Sequence, residues 1–110
     1  MEKSVFLEVL GDSPEIRIID FFIEHRWSDY TKTEIAKWCE VSRPTLYKIW
    51  PHLERNGVIT PTRKLARATL YKLNEDNELV KALIEVDRII LKRIFEEVEQ
   101  QQKVQVKIRR

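Results

Sequence analysis

Gly11 and Gly57 are the only glycines in this 110-residue chain. Neither lies in a run that could cradle phosphates through backbone N–H groups, which excludes glycine-rich nucleotide loops. A single cysteine, Cys39, excludes an intramolecular disulfide and any thiol pair for metal or redox work. The two histidines, His25 and His52, stand far apart and offer no metal-ligand spacing. No apolar run reaches the roughly 18 residues of a membrane-spanning helix. The opening Met1–Glu8 segment carries acidic residues within its apolar stretch, unlike a secretory signal. The expected location is therefore the cytoplasm. Carboxylates are plentiful, but no His, Ser or Cys partner accompanies them at catalytic spacing. The chain reads as no enzyme, with no cofactor, no metal and no evident small-molecule effector.

What the sequence does hold is charge, unevenly placed. Net charge is only +2, yet residues 25–74 carry ten basic and four acidic side chains. Residues 1–24 carry two basic and six acidic, and residues 75–99 four basic and eight acidic. The last eleven residues carry four basic side chains and no acidic one. A central basic block flanked by acidic segments can form a face for a polyanion, and equally a well-mixed solvated surface.

Hydrophobic spacing orders the elements. A short helix or extended arm occupies residues 1–11. Gly11-Asp12-Ser13-Pro14-Glu15 starts a helix to Glu24, capped by Asp12 or Ser13, with Ile16, Ile19, Phe22 and Ile23 on one face and Ile18 and Phe21 widening it. Residues 25–30 read as a connection. Thr31 and Glu34 match a capping box and open a second helix over 32–39. Glu40-Val41 turns the chain, Ser42 caps a third helix over 43–56, and Asn56-Gly57 ends it. Two antiparallel strands, 58–60 and 68–73, form a hairpin with residues 61–67 as its tip. Asn77 suits the cap of a long helix over 78–102. The tail from Lys103 to Arg110 alternates polar and apolar, as a strand or a frayed basic arm would. The expected fold is mainly α with a small antiparallel β-hairpin. Its segments are 1–11, a helix-turn-helix unit with a hairpin over 12–74, a C-terminal dimerisation helix over 75–102, and a basic tail over 103–110.

Between Lys32 and Trp50, apolar residues at Ile35, Ala36, Cys39, Val41, Leu46 and Ile49 fall where two crossing helices need them, with Ala36 small at the crossing. The opposite face of the third helix is left with Arg43, Thr45, Tyr47, Lys48 and His52, donors and an aromatic edge suited to a major groove. The stretch Glu34-Ile-Ala-Lys-Trp-Cys-Glu-Val-Ser-Arg-Pro-Thr-Leu-Tyr-Lys-Ile, followed by Leu53-Glu-Arg-Asn-Gly-Val-Ile, resembles the winged helix-turn-helix regulators of the arsenic-repressor and MarR-like superfamily, in their archaeal form. The resemblance spans residues 12–73.

That resemblance implies a transcription regulator that binds double-stranded DNA sequence-specifically as a homodimer. It places the third helix in the major groove and the hairpin wing on the backbone or minor groove, with third helices about 34 Å apart in the dimer. It carries base reading to Arg43, Thr45, Tyr47 and Lys48, and phosphate contact to Thr33, Ser42, Arg63, Lys64 and Arg67. The last helix has a wider apolar stripe than one small domain needs. Leu83, Ile90, Ile94 and Phe95, with Val5, Phe6 and Leu7, are the expected dimer seam; packing against Ile18, Phe21 and Phe22 within one chain is the alternative.

Two features depart from the pattern. Glu40 stands where the turn often has glycine, and a left-handed conformation there costs about 1–2 kcal/mol. Pro51 falls inside the third helix and is expected to kink it or shift its axis beyond the base-reading residues. The rival reading is a winged-helix protein-interaction module, or a non-specific DNA-binding protein, in a transcription, replication or partition assembly. An apolar third-helix face would mark it, and Tyr47 and Pro51 are its only hints.

Overall fold

A computed structural model describes residues 4–108, with side chains as far as residue 103. Five helices and three strands follow in the order α1 (Val5–Leu10), α2 (Pro14–Glu24), β1 (Tyr30–Thr31), α3 (Lys32–Trp38), α4 (Arg43–Arg55), β2 (Ile59–Leu65), β3 (Ala68–Leu73) and α5 (Glu78–Ile108). Ser13 and Ser42 cap where the sequence puts them, accepting from the backbone N–H three residues on, and Thr31 and Glu34 form the full capping box. Ser4, which the sequence reading does not single out, caps α1 in the same way. Asn77 accepts from the Leu79 and Val80 N–H groups at 2.8 and 3.2 Å, fixing the start of α5. Its amide also donates to the Asn56 carbonyl at 3.1 Å and so ties that start to the end of α4.

The core gathers one face of each helix. Ile18, Phe22 and Ile23 of α2, Ile35 and Ala36 of α3, and Leu46, Ile49, Trp50 and Leu53 of α4 are buried together with Val58, Ile59 and Leu73. Cys39 is 1% exposed among them, and burial pushes its thiol up to about 12. Asp20 is the one buried charged residue among those described; it accepts from the Ser4 hydroxyl at 2.8 Å.

The turn between α3 and α4 puts Glu40 at φ 54°, the left-handed region that L-residues pay to enter. The Val41 N–H then reaches back to the Ala36 carbonyl, and the Arg17 guanidinium donates to the Glu40 carbonyl at 3.2 Å. At the far end of α4, Val58 N–H bonds to the Leu53 carbonyl and Gly57 N–H to that of Glu54, the paired closure of a Schellman motif. Gly57 has φ 67°, where an L side chain is strained, and a Cβ there would lie 2.4 Å from the Asn77 amide nitrogen and push aside the side chain that caps α5.

Three expectations need correction. Residues 25–30 are not only a connection: Tyr30–Thr31 pairs antiparallel with β3 (Tyr30 opposite Tyr71, Thr31 opposite Leu70), making a three-stranded sheet in the order β1-β3-β2. Two residues are too few to leave a period-2 signature. The second hairpin strand is Ala68–Leu73 as expected, but the first, Ile59–Leu65, runs past 58–60 through most of the expected tip, to a tight turn at Ala66-Arg67 with a bulge between Pro61 and Arg63. Pro51, where a kink or axis shift is expected, lies on the exposed side of α4, which stays helical from Arg43 to Arg55 as the sequence places it. Finally, α5 continues helically to Ile108 instead of giving way to a strand or arm. Gln and Lys are good helix formers, and alternation alone does not make a strand without an edge to join. Residues 1–3, 109 and 110 and the side chains of 104–108 lie outside the described residues, and with them the tail's basic groups beyond Lys103.

Candidate nucleic-acid interface

The site is built outward from α4. Its first turn carries no acidic residue, whereas α1, α2, α3 and α5 each place a glutamate there. Carboxylates normally offset the positive end of a helix dipole. Here that end is left open toward solvent, flanked by Arg43 and Lys48, both exposed.

The expected base-reading residues share the outer side of this helix. Arg43 and Tyr47 stand one turn apart, with Lys48 beside them. Tyr47 is 57% exposed, although it is aromatic. The Arg43 guanidinium donates to the Thr33 hydroxyl at 3.2 Å, so the first turns of α3 and α4 are braced side chain to side chain. Ser42 donates its hydroxyl proton to Thr45 at 2.9 Å while capping the helix, which holds Thr45 close to the helix start.

The hairpin of β2 and β3 brings up the second part. Lys64 and Arg67 are exposed at its tip, and among the described residues neither forms an ion pair. Arg63 differs. Its Nε and Nη2 donate to the two oxygens of Asp29 at 2.9 and 3.2 Å, and the Thr62 hydroxyl donates to the same carboxylate at 2.5 Å. The guanidinium and then the hydroxyl hold Asp29 down to about 2. Only the remaining donors of Arg63 face solvent.

Between α3, α4 and β3 lies a cleft of about 280 Å³, lined by residues 31–33, Tyr47 and residues 67–69 with Tyr71. Lys32 sits in it, its ammonium 5.2 Å from the ring centres of Tyr47 and Trp50 and 5.7 Å from that of Tyr71. The sequence singles out neither Lys32 nor Asp29. Asp29 acts with residues more than thirty positions away on β2, and Lys32 with rings from α4 and β3, so tertiary packing alone gives each its setting.

No protein-family model matches the chain, and no curated protein matches it in sequence. Solved structures do match in shape. MepR, a transcription regulator of the Staphylococcus aureus multidrug efflux pump MepA, superposes with a TM-score of 0.60 at 20% identity over 93% of this chain and 80% of its own. The S. aureus MepR–DNA complex gives 0.62 at 20% identity, over 88% and 77%. NadR in complex with 4-hydroxyphenylacetate gives 0.59 at 20% identity, over 94% and 75%. The MarR family transcriptional regulator SPO1453 from Silicibacter pomeroyi gives 0.57 at 18% identity, over 86% and 68%.

This chain has the winged-helix fold of MarR-type regulators. In winged-helix terms, α3 and α4 are the helix-turn-helix, the β2–β3 hairpin is the wing, and α5 is the long closing helix. The matches with a stated source come from S. aureus and S. pomeroyi, so the archaeal form of the sequence resemblance gains no support from them.

The expected seam residues of α5 divide. Ile90 is 9% exposed and belongs to the chain's own core, and Leu83 and Ile94 pack against it. Phe95 is 66% exposed. Phe6 and Leu7 of α1 are buried within the chain. The large apolar side chains left exposed on these two helices are Leu79, Ile89, Leu91, Phe95 and Val98 on α5 and Val9 and Leu10 on α1. No helix among the described residues is long and apolar enough to cross a membrane, and no group of three His, Cys, Asp or Glu there could hold a metal ion.

Proposed function

We propose that this winged helix is a transcription regulator that binds duplex DNA sequence-specifically as a homodimer. The observation carrying the reading is α4. It is the helix whose first turn bears no carboxylate, and it presents Arg43, Tyr47 and Lys48 outward beside a wing with two unpaired cations. In this reading α4 enters the major groove. Arg43, Thr45, Tyr47 and Lys48 meet base edges, and Thr33, Ser42, Lys64 and Arg67 meet phosphates. Arg63 shapes the wing through Asp29 and lends phosphate its remaining donors. The fold shared with MepR, whose structures include a complex with DNA, supports the same reading. Residues 12–74 are the DNA-binding unit, and it works in the cytoplasm where the DNA lies. NadR, of the same fold, has been solved with 4-hydroxyphenylacetate, and a small-molecule effector is compatible with this assignment.

Dimerisation rests on α5. Every residue from Phe95 to Lys103 is exposed, so this part of a 31-residue helix has no cover from its own chain. Isolated helical segments of this length are marginal in water. Leu91, Phe95 and Val98 follow one another at four- and three-residue steps and form a stripe for a second copy to cover. Of the seam expected from sequence, Phe95 is the residue best placed to reach a partner.

Selection from a random duplex library tests the function. Purified protein is expected to enrich an inverted repeat with half-sites about one helical turn apart. Salt-sensitive retention without enrichment contradicts sequence-specific reading and leaves a non-specific DNA-binding protein. No retention contradicts DNA binding and favours a protein-interaction module.

A further inference from the structure

The cleft between the start of α3 and the wing is a better-defined anion seat than any single surface cation. Its walls come from residues 31–33 and from residues 67–69 with Tyr71, brought together by the pairing of β1 with β3, and from Tyr47 of α4. The first two stretches supply one cation each, Lys32 and Arg67, and no carboxylate lines the cleft. Neither cation is paired with an acid among the described residues. Thr33 and Thr69 add hydroxyls to the same walls.

Lys32 is unusual among these groups because its ammonium is already placed. The rings of Tyr47, Trp50 and Tyr71 lie within 5.2 to 5.7 Å of Nζ, close enough to attract a cation through their π faces. A free surface lysine loses rotamer freedom when it grips a ligand, whereas Lys32 is held before the ligand arrives. Arg67 offers a planar fork suited to two oxygens of one tetrahedral anion.

We propose that Lys32 and Arg67 together seat one backbone phosphate of the duplex, so that the helix-turn-helix and the wing grip the same strand at a shared point. The assignment rests on the DNA-binding reading and adds Lys32 to it. Tyr47, which walls the cleft and also belongs to the base-reading face, couples the phosphate seat to the reading helix. The shared phosphate fixes the register of α4 in the groove.

The test compares wild type with Lys32→Met, Arg67→Gln and the double variant, binding one duplex between about 50 and 200 mM salt. Methionine keeps a flexible apolar stem over the rings while removing the charge, and thermal melts confirm folding. If the two cations share one phosphate, the double variant lowers the slope of log K against log salt by about 0.9, the share of one phosphate. An unchanged slope overturns the proposal, as does a fall near 1.8, which means two separate phosphates. A second arm titrates inorganic phosphate and follows the amide resonances of Thr33, Arg67 and Thr69. Shifts in wild type that vanish in the double variant support the seat, and their absence in wild type overturns it. If wild type fails to bind duplex but shows those shifts, the DNA-binding reading fails while the anion seat stands.

Discussion

Asp29 grips Arg63 with both carboxylate oxygens, at 2.9 Å to Nε and 3.2 Å to Nη2. Asp29 lies in the connection after α2, and Arg63 lies just past the bulge of β2. The bulge leaves Thr62 as an extra residue on that strand, and its hydroxyl meets the same carboxylate. Bulges re-aim strands, and here the re-aimed wing is pinned to the body of the domain at a single acid.

Removing that acid should loosen the wing. Asp29→Asn is expected to speed hydrogen exchange in the amides of residues 62–65 while leaving α4 protected. The same loosening should follow acidification. Asp29 titrates at about 2 when folded, below its usual 3.8. The contact is therefore intact above about 4 and is lost as the pH falls toward 2, when the carboxylate takes up its proton. Wing exchange rates unchanged by both treatments would contradict the strut.

Phe95 should govern association. Phe95→Glu places a charge in the uncovered stripe of α5 without touching the core, since Phe95 is 66% exposed. Sedimentation is expected to show a dimer for the parent and a 13.2 kDa monomer for the variant, with thermal stability of the monomer unit little changed. A parent that already sediments as a monomer at working concentration overturns the homodimer.

The wing turn carries correctable strain. Ala66 adopts φ 55° at an exposed position. A left-handed alanine costs about 1–2 kcal/mol, and glycine gives back part of that as backbone entropy. Ala66→Gly should therefore stabilise the protein by about 0.5–1 kcal/mol, read as a rise of a few degrees in melting temperature. A fall in melting temperature contradicts the account of the turn.

Cys39 should behave as a hydrocarbon. With 1% exposure and a thiol pushed up to about 12, it holds almost no thiolate at neutral pH. A thiol reagent is expected to leave the native protein unmodified and to react fully once it is unfolded. Rapid modification of the native state would contradict its placement in the core.

Much of the fold is legible in the sequence because its signals are local. Ser13, Thr31, Ser42 and Asn77 announce helix starts through their own side chains, and Gly57 announces an end. The start of α4 is legible for the same reason. What sequence reading misses is long-range. β1 is two residues whose partner lies forty positions on, so it leaves no periodic trace. Lys32 gains its setting from Tyr47, Trp50 and Tyr71, and Asp29 gains its role from a bulge in another strand. The apolar stripe of α5 announces that the helix is covered. Whether the cover at Leu83, Ile90 and Ile94 is the chain itself or a second copy depends on tertiary packing. Glu40 shows the opposite case. The strain foreseen at that position is present, and the contacts around Arg17 and Ala36 hold it in place.

Base reading by the first turns of α4 is the central claim, and Lys48→Ala tests it most directly. Fluorescence anisotropy would compare wild type and variant on the selected site and on a scrambled duplex at one salt concentration. The account predicts a loss of about 1–3 kcal/mol on the selected site and a far smaller, sequence-independent loss on the scrambled one. Equal losses on both duplexes would reduce Lys48 to a phosphate contact. No loss on either would contradict the placement of α4 in the groove.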